Sequence, residues 1–455
     1  MRIVAKQAVV EKGDGFKNDL FGRESFGRSL LSIIRNSSEA LVISIDARWG
    51  EGKTTFVKMW QDALAQEGLP SIYIDAFQND YVDDAFLVLA SNITSYAKAH
   101  SDGAGETEFR ARATQVFVKL LSWSGKVAVK SLTLGAIGRS ELDTLDEIKD
   151  DIVDPIADTT ERLIADKLGS ARQDAELADD FKKSLSVLPA KLKGNEGGRL
   201  VVIIDELDRC KPTFAIDLLE RVKHLFSVPN VVFVLVMNKI QLEDAMKSVY
   251  GSNLDSRTYL QKFITVESIL PKKCGGSMRS CDLKIYAERL YELHELETWD
   301  DKDLILTATT VFARVFDLSL RQLERVFTNI TLIYLCHNKH SYRLPGFICF
   351  LSVLKVVDNE LYQKVADGTL SYGPLADELQ NRWPKFCSQA EPDAGSLTRL
   401  MNSVLFCIAS DAEIAALSPQ HVVHSFGSDI WRFSAGRADL RGYFCSQLNL
   451  FSPQE

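Results

Sequence analysis

The sequence predicts an α/β fold: a parallel central sheet flanked by helices, with a helical insertion and a helix-rich C-terminal region. Three observations carry that expectation. Short, largely apolar runs at ALVISIDA (40–47), LVVII (200–204) and NVVFVLVM (230–237) have the pattern of strands buried on both faces. They are separated by stretches of helical length, the alternation that places helices over a parallel sheet. The last two of these runs meet a polar or acidic residue at once, Asp205 and Asn238. Ligands of open α/β sheets sit beyond those carboxyl ends.

The elements follow in order. After the first strand come Gly50 and Gly52, and KTTFVKMWQDALAQEG reads as a helix ending near Gly68. LPSIYIDAF (69–77) supplies a second strand. A long, mainly helical section with an acidic middle comes next, interrupted at Pro155, and KLKGNEGG (191–198) is a loop. Leu200–Ile204 is the clearest strand, because its apolar run meets acids at once. Pro212 suits the first turn of a helix that continues from Thr213 to about Phe226. NVVFVLVMNK (230–239), a further helix and KFITVESIL (262–270) complete a five-stranded parallel core. From about Asp282 the chain is helix-rich, and after Pro345 its periodicity is harder to read. The expected organisation is an α/β core in two parts, 1–99 and 199–281, split by a helical insertion over 100–198. A lid-like helical region, 282–340, and an accessory region, 341–455, complete it.

Bulk properties narrow the class. A chain of 455 residues has room for more than one domain, and 46% hydrophobic with 25% charged residues excludes a disordered protein. A net charge of -9 gives no sign of a strongly basic nucleic-acid surface, although a local basic patch stays open. The 8 cysteines are scattered without ligand-like pairs, as in reduced structural thiols of a cytosolic protein. His337 with His340, and His421 with His424, come nearest to metal spacing, but a solvated helix end explains the first pair as well. Neither a secretory signal nor an uninterrupted apolar run of membrane-spanning length is found. Lys119, Lys126 and Lys130 interrupt the most apolar part of the insertion, Val116 to Gly138. That segment reads as a buried or partner-binding helical hairpin, with interfacial membrane contact as the alternative. The expectation is a cytoplasmic protein without stable transmembrane insertion.

The stretch between the first strand and its helix, ARWGEGKTTF, carries the first chemical device. Strand, glycine-containing turn and helix form the setting in which successive backbone N–H groups cradle a diphosphate. Trp49, Gly50, Glu51, Gly52, Lys53, Thr54 and Thr55 are the candidate nucleotide contacts. Lys53 would reach the β and γ phosphates and the Thr54 hydroxyl would ligate Mg²⁺, with Thr55 second for that role. The usual leading glycine is replaced by Ala47. Alanine fits there if the strand runs one residue further and φ stays negative. Gly-Lys-Thr strings also arise by chance. The second device, VVIIDELD, puts Asp205 and Glu206 at a strand's carboxyl end. Asp205 would hold Mg²⁺, directly or through water, and Glu206 would act as general base toward the attacking water. Solvated acids after a strand are the ordinary alternative.

Together these motifs resemble the KAP family of P-loop NTPases, a branch of the additional-strand ATPase group. Trp49, Gly50, Gly52, Lys53 and Thr54 match its phosphate loop. Asp205, Glu206, Leu207, Asp208, Arg209, Cys210 and Pro212 match its acidic strand in register. Asp75, Ala76 and Asp80 match a further element in which Phe77 replaces tryptophan, an aromatic exchange expected to preserve packing. SRTYLQKFITVESILP resembles a Tyr-Leu-x-Lys element of the family, and LSLRQLERVFTN its lid helix through Arg321, Arg325 and Asn329. The resemblance covers roughly residues 15–335. It implies Arg321 as a γ-phosphate sensor, although a solvated cationic stripe gives the same spacing. Asn238 occupies a sensor position where the family more often has aspartate. Arg209, Arg221 or Arg257 are candidates for a finger toward a neighbouring subunit.

The family implies ATP and Mg²⁺ as ligands and a protein partner or homo-oligomer. Its bacterial members are often associated with mobile-element exclusion or antiphage defence. MNKI (237–240) lacks the aspartate of a guanine-reading motif, which favours ATP over GTP. The sequence therefore supports a Mg-dependent ATPase whose hydrolysis switches its own conformation or a partner's. A catalytically weak nucleotide-binding scaffold is the rival; a small-molecule kinase has less support, since no acceptor pocket is recognisable.

Overall fold

Why the strands form where they do is visible in their burial. The computed structural model of the chain describes residues 1–4, 13–100, 182–273, 281–386 and 394–449, apart from a few positions inside those spans. The Val116–Gly138 segment, the Pro155 break and most of the insertion lie outside the described residues. Within them, β1 (Leu41–Asp46), β2 (Ser71–Asp75), β3 (Leu200–Asp205), β4 (Val231–Met237) and β5 (Val266–Ile269) form a five-stranded sheet in the order β2-β3-β4-β1-β5. Every pairing is parallel. All residues of β3 and β4 are buried, as continuous apolar runs require.

Alternation sorts the strand side chains onto two faces. Val201, Ile203, Val232, Val234 and Val236 join Ile43 and Ile45 in a core with α1 (Glu24–Asn36) and α2 (Lys53–Gln66). Val202, Ile204, Phe233, Leu235, Ile72 and Ile74 pack on the other face against α3 (Ala85–His100) and α4 (Pro212–Val222). Residues 182–191 of the insertion are helical, and Leu185 and Leu188 belong to this second core. Because β4 lies between β1 and β3, the loop after β1 and the acids after β3 share one rim. The register aligns Asp46 with Met237, Asp205 with Val236, and Asp75 with Asp205.

Two local expectations are corrected. The second strand ends at Asp75 and not at Phe77; the Ala76 N–H still donates to the Asp205 carbonyl at 2.9 Å, and a 3-10 turn, Phe77–Asn79, then begins. Asp75 Oδ1 accepts the Gln78 N–H at 2.9 Å and closes that turn, which carries the Phe77 ring outward to 48% exposure. Its aromatic character therefore preserves no core packing. His337 is buried and not a solvated helix end: Nδ1 meets the Ile333 carbonyl at 2.7 Å and the ring packs on Tyr443 and Phe444. Among the described residues no cluster of His, Cys, Asp or Glu is arranged to hold a metal, and no helix is long and apolar enough to cross a membrane.

Between β4 and β5 lie α5 (Lys239–Tyr250) and α6 (Ser256–Leu260); beyond β5 the described residues are helix-rich, with α7 (Asp282–Leu293), α8 (Lys302–Val315), α9 (Leu320–Leu335) and α10 (Pro345–Val357) following in turn. One hydrophobic cluster runs from Cys281 to Leu448 through these later helices. At its centre α10 (PGFICFLSVLKVV) is apolar nearly all round and buried from Pro345 to Leu354. A helix enclosed on every side has no polar face, so its sequence carries no 3.6-residue period.

Candidate functional site

The loop between β1 and α2 is built without strain at its unusual position. The Ala47 N–H donates to the Met237 carbonyl at 3.1 Å, extending the β1–β4 pairing by one residue, and Ala47 is absent from the positive-φ residues. Gly50 and Gly52, in contrast, both take φ of 80°, a left-handed backbone that disfavours a side chain. α2 begins at Lys53 with no side-chain cap, so its first amides lack the usual capping acceptor. A helix start of that kind is suited to an anion.

Lys53 is buried, and Nζ donates to the Ala47 carbonyl at 2.7 Å. Burial lowers its pKa, while Asp208 and Asp205 oppose the shift. Thr54 Oγ1 donates to Asp205 Oδ2 at 2.8 Å, whereas Thr55 is exposed. The structure thus brings Thr54 to the acidic strand. Trp49 is 42% exposed, and its indole N–H donates to Asp208 Oδ2. The buried Glu51 carboxylate is held by cations: Lys272 Nζ donates to Oε1 at 2.7 Å and Arg48 lies 3.6 Å from it. The buried Arg23 donates to the Glu51 carbonyl at 3.0 Å and to that of Pro271 at 3.1 Å.

Asp205 is fully buried. Its Oδ2 accepts from Thr54 and also from the Tyr73 hydroxyl at 3.0 Å, while Oδ1 accepts the Glu206 N–H at 2.8 Å. Burial pushes its pKa up, and the Thr54, Tyr73 and Glu206 donors pull it back. Tyr73 is pushed far above the ordinary phenol range by burial and by Asp205, so it remains a neutral donor. Glu206 follows with φ of 61°, and its carboxylate is paired with Arg209 at 2.9 Å. Burial raises the Glu206 pKa, Arg209 lowers it, and Asp205, Asp75 and Asp208 raise it further. Arg209, one of the candidate fingers, is therefore engaged within its own chain. Arg257 is exposed on α6, and Arg221 belongs to α4.

Asn238 is buried at the end of β4, immediately before α5, with no side-chain cap to that helix. The next amide, Lys239 N–H, donates to Asp46 Oδ1 at 2.9 Å, which brings the β4 and β1 ends together. Arg321 lies in the first turn of α9. Its N–H donates to the Gly50 carbonyl at 3.2 Å, and its exposed side chain stands beside the phosphate loop. Arg325 is exposed, and Asn329 donates to the Ser352 carbonyl at 3.3 Å, inside the helical bundle. Sequence reasoning missed Tyr73, Arg23 and Lys272. A tyrosine two residues before a strand's terminal aspartate is the one signal that pointed to Tyr73; nothing local marked the two cations.

The parallel sheet, its inserted β4 and the glycine loop at the start of α2 define a P-loop NTPase. Residues 23–336, more than half the chain, match the KAP family P-loop domain, and the chain belongs to that family. Membership implies nucleotide binding. No curated protein matches significantly. Among solved structures, the chain is similar to the Aeropyrum pernix ORC2 protein in ADPNP–ADP complexes, with 14% identity and a TM-score of 0.35 over 94% of this chain and 97% of that one. The Aeropyrum pernix ORC1 protein in complex with DNA is also similar, with 13% identity and a TM-score of 0.36 over 86% and 84%. Likeness at this level carries neither ligand nor partner over to this chain.

Proposed function

We propose that the protein hydrolyses ATP in a Mg²⁺-dependent reaction coupled to a conformational switch of its own or of a partner. The contact between Thr54 and Asp205 supports this best: a hydroxyl from the first turn of α2 and a buried carboxylate from the end of β3 meet at 2.8 Å beside Lys53. That oxygen pair fits a hard divalent cation, and the left-handed backbone at Gly50 and Gly52 leads into the uncapped first amides of α2, which suit phosphate. Thr54 and Asp205 would hold Mg²⁺, which when bound supplies neutralisation of phosphate charge. Lys53 exchanges its bond to the Ala47 carbonyl for phosphate oxygens. Asn238 and Arg321 flank the loop as sensors, and Trp49, Gly50, Glu51 and Gly52 contribute the loop backbone. Glu206 accepts the proton of an attacking water through its carboxylate, a role that requires it to leave Arg209. Adenine is favoured as the base because no guanine-reading aspartate follows Asn238 and Lys239.

The Arg209–Glu206 pair also favours a second reading, a nucleotide-binding scaffold with weak turnover, since the base is neutralised as it stands. Glu206→Gln separates the two. As general base, its loss lowers phosphate release by about 10²–10⁴-fold with ATP binding retained. Unchanged turnover in that variant rejects its catalytic role. Bacterial antiphage or mobile-element defence is the biological setting we propose, on the family's associations alone.

A further inference from the structure

We propose that Tyr73 is a positioning residue for the cation site, holding the Asp205 carboxylate through a bond that does not belong to the phosphate loop. This inference rests on the ATPase reading above. Asp205 Oδ2 accepts two hydroxyls, Thr54 at 2.8 Å and Tyr73 at 3.0 Å. The two donors differ in origin. Thr54 lies in the first turn of α2, on the loop that must turn toward phosphate and cation. Tyr73 lies within β2, where it is aligned with Ile203 of β3, two residues before Asp75 meets Asp205. Tyr73, Ile203 and Asp205 alternate onto the same sheet face, the one covered by α2, and the Tyr73 ring packs against that core. The phenol therefore reaches Oδ2 along the sheet surface, from a position set by strand pairing.

That separation has a consequence for ligation. When the Thr54 oxygen turns to a cation, its bond to Asp205 is no longer assured. The Tyr73 bond and the Glu206 N–H on Oδ1 remain, so both oxygens keep a donor and the carboxylate plane stays fixed. Groups that orient a ligating carboxylate from behind commonly change metal affinity by about 10–100-fold when removed.

Tyr73→Phe tests this, because it retains the ring and deletes only the hydroxyl. Calorimetry on the full chain measures binding of the non-hydrolysed β,γ-imido analogue of ATP, once in EDTA and again across a Mg²⁺ titration. The expected result is a Mg²⁺ half-point raised about 10-fold or more, with EDTA affinity within about twofold of wild type. An unchanged half-point in a folded Phe variant overturns the inference and leaves the ATPase reading standing. So does wild-type binding that is indifferent to Mg²⁺, as far as Tyr73 is concerned. A Phe variant that fails to fold, or that loses affinity equally with and without Mg²⁺, marks a structural role and overturns it. Wild-type protein that does not bind the analogue at all overturns the ATPase reading and this inference with it.

Discussion

Gly50 lies where the phosphate loop meets the first turn of α9, and replacing it with alanine measures how firmly the two are joined. Its φ of 80° alone makes a side chain cost about 1–2 kcal/mol. A Cβ built there would also stand 2.7 Å from the Arg321 Cβ and 3.1 Å from Ser319 Oγ. Both neighbours sit in a rigid helix start, held by a capping box between Ser319 and Gln322, so neither yields easily. Forced contacts of this kind cost about 1–3 kcal/mol more. Gly52 provides the internal control. Its φ is also 80°, but a Cβ there would come no closer than 3.3 Å, to the far end of the Arg23 side chain. Gly52→Ala should therefore lose about 1–2 kcal/mol and Gly50→Ala about 2–5 kcal/mol, compared by urea midpoints without nucleotide. Arg321→Gly removes the offending Cβ and should recover part of the Gly50→Ala loss in the double variant, whereas Arg321→Ala should not. Equal losses at Gly50 and Gly52, or strict additivity with Arg321→Gly, would refute the docking of α9 on the loop.

Three other outcomes follow from the same site. Lys53→Ala should weaken MgATP binding severely, since it removes the ammonium facing the phosphates; unchanged affinity by titration calorimetry would sink the nucleotide assignment. Arg209→Gln should move the acid limb of the pH–rate profile upward. Arg209 holds the Glu206 pKa down against burial, and a base whose pKa rises loses its ionised form at a higher pH. An acid limb that stays in place or falls would show that Glu206 is not the titrating base. The wild-type limb should already lie above the ordinary glutamate range, because burial is the largest influence on Glu206.

What the sequence determined by itself was local chemistry and burial. Lys53 and Thr54 follow the glycines at a helix start, and Asp205 and Glu206 follow a wholly apolar run, so each device was legible within a few residues of chain. β3 and β4 were equally clear, since a strand buried on both faces has no polar residue to blur it. The edge strands were less so. β2 and β5 alternate in exposure, and an acid-closed turn, invisible as a pattern, ended β2 at Asp75 and turned Phe77 to solvent. Other features depended on groups far apart in sequence. The order β2-β3-β4-β1-β5 set Asp205 against Thr54 across 151 positions, and strand register set Tyr73 behind it. Arg23 and Lys272 reached Glu51 from segments far apart in sequence, and α9 came to rest on Gly50. α10 lost its periodicity because the bundle encloses it. Motifs are written along the chain because backbone and neighbouring side chains make them. Which oxygen receives a second donor, and which helix covers a glycine, is decided by packing between segments whose separation no local pattern records.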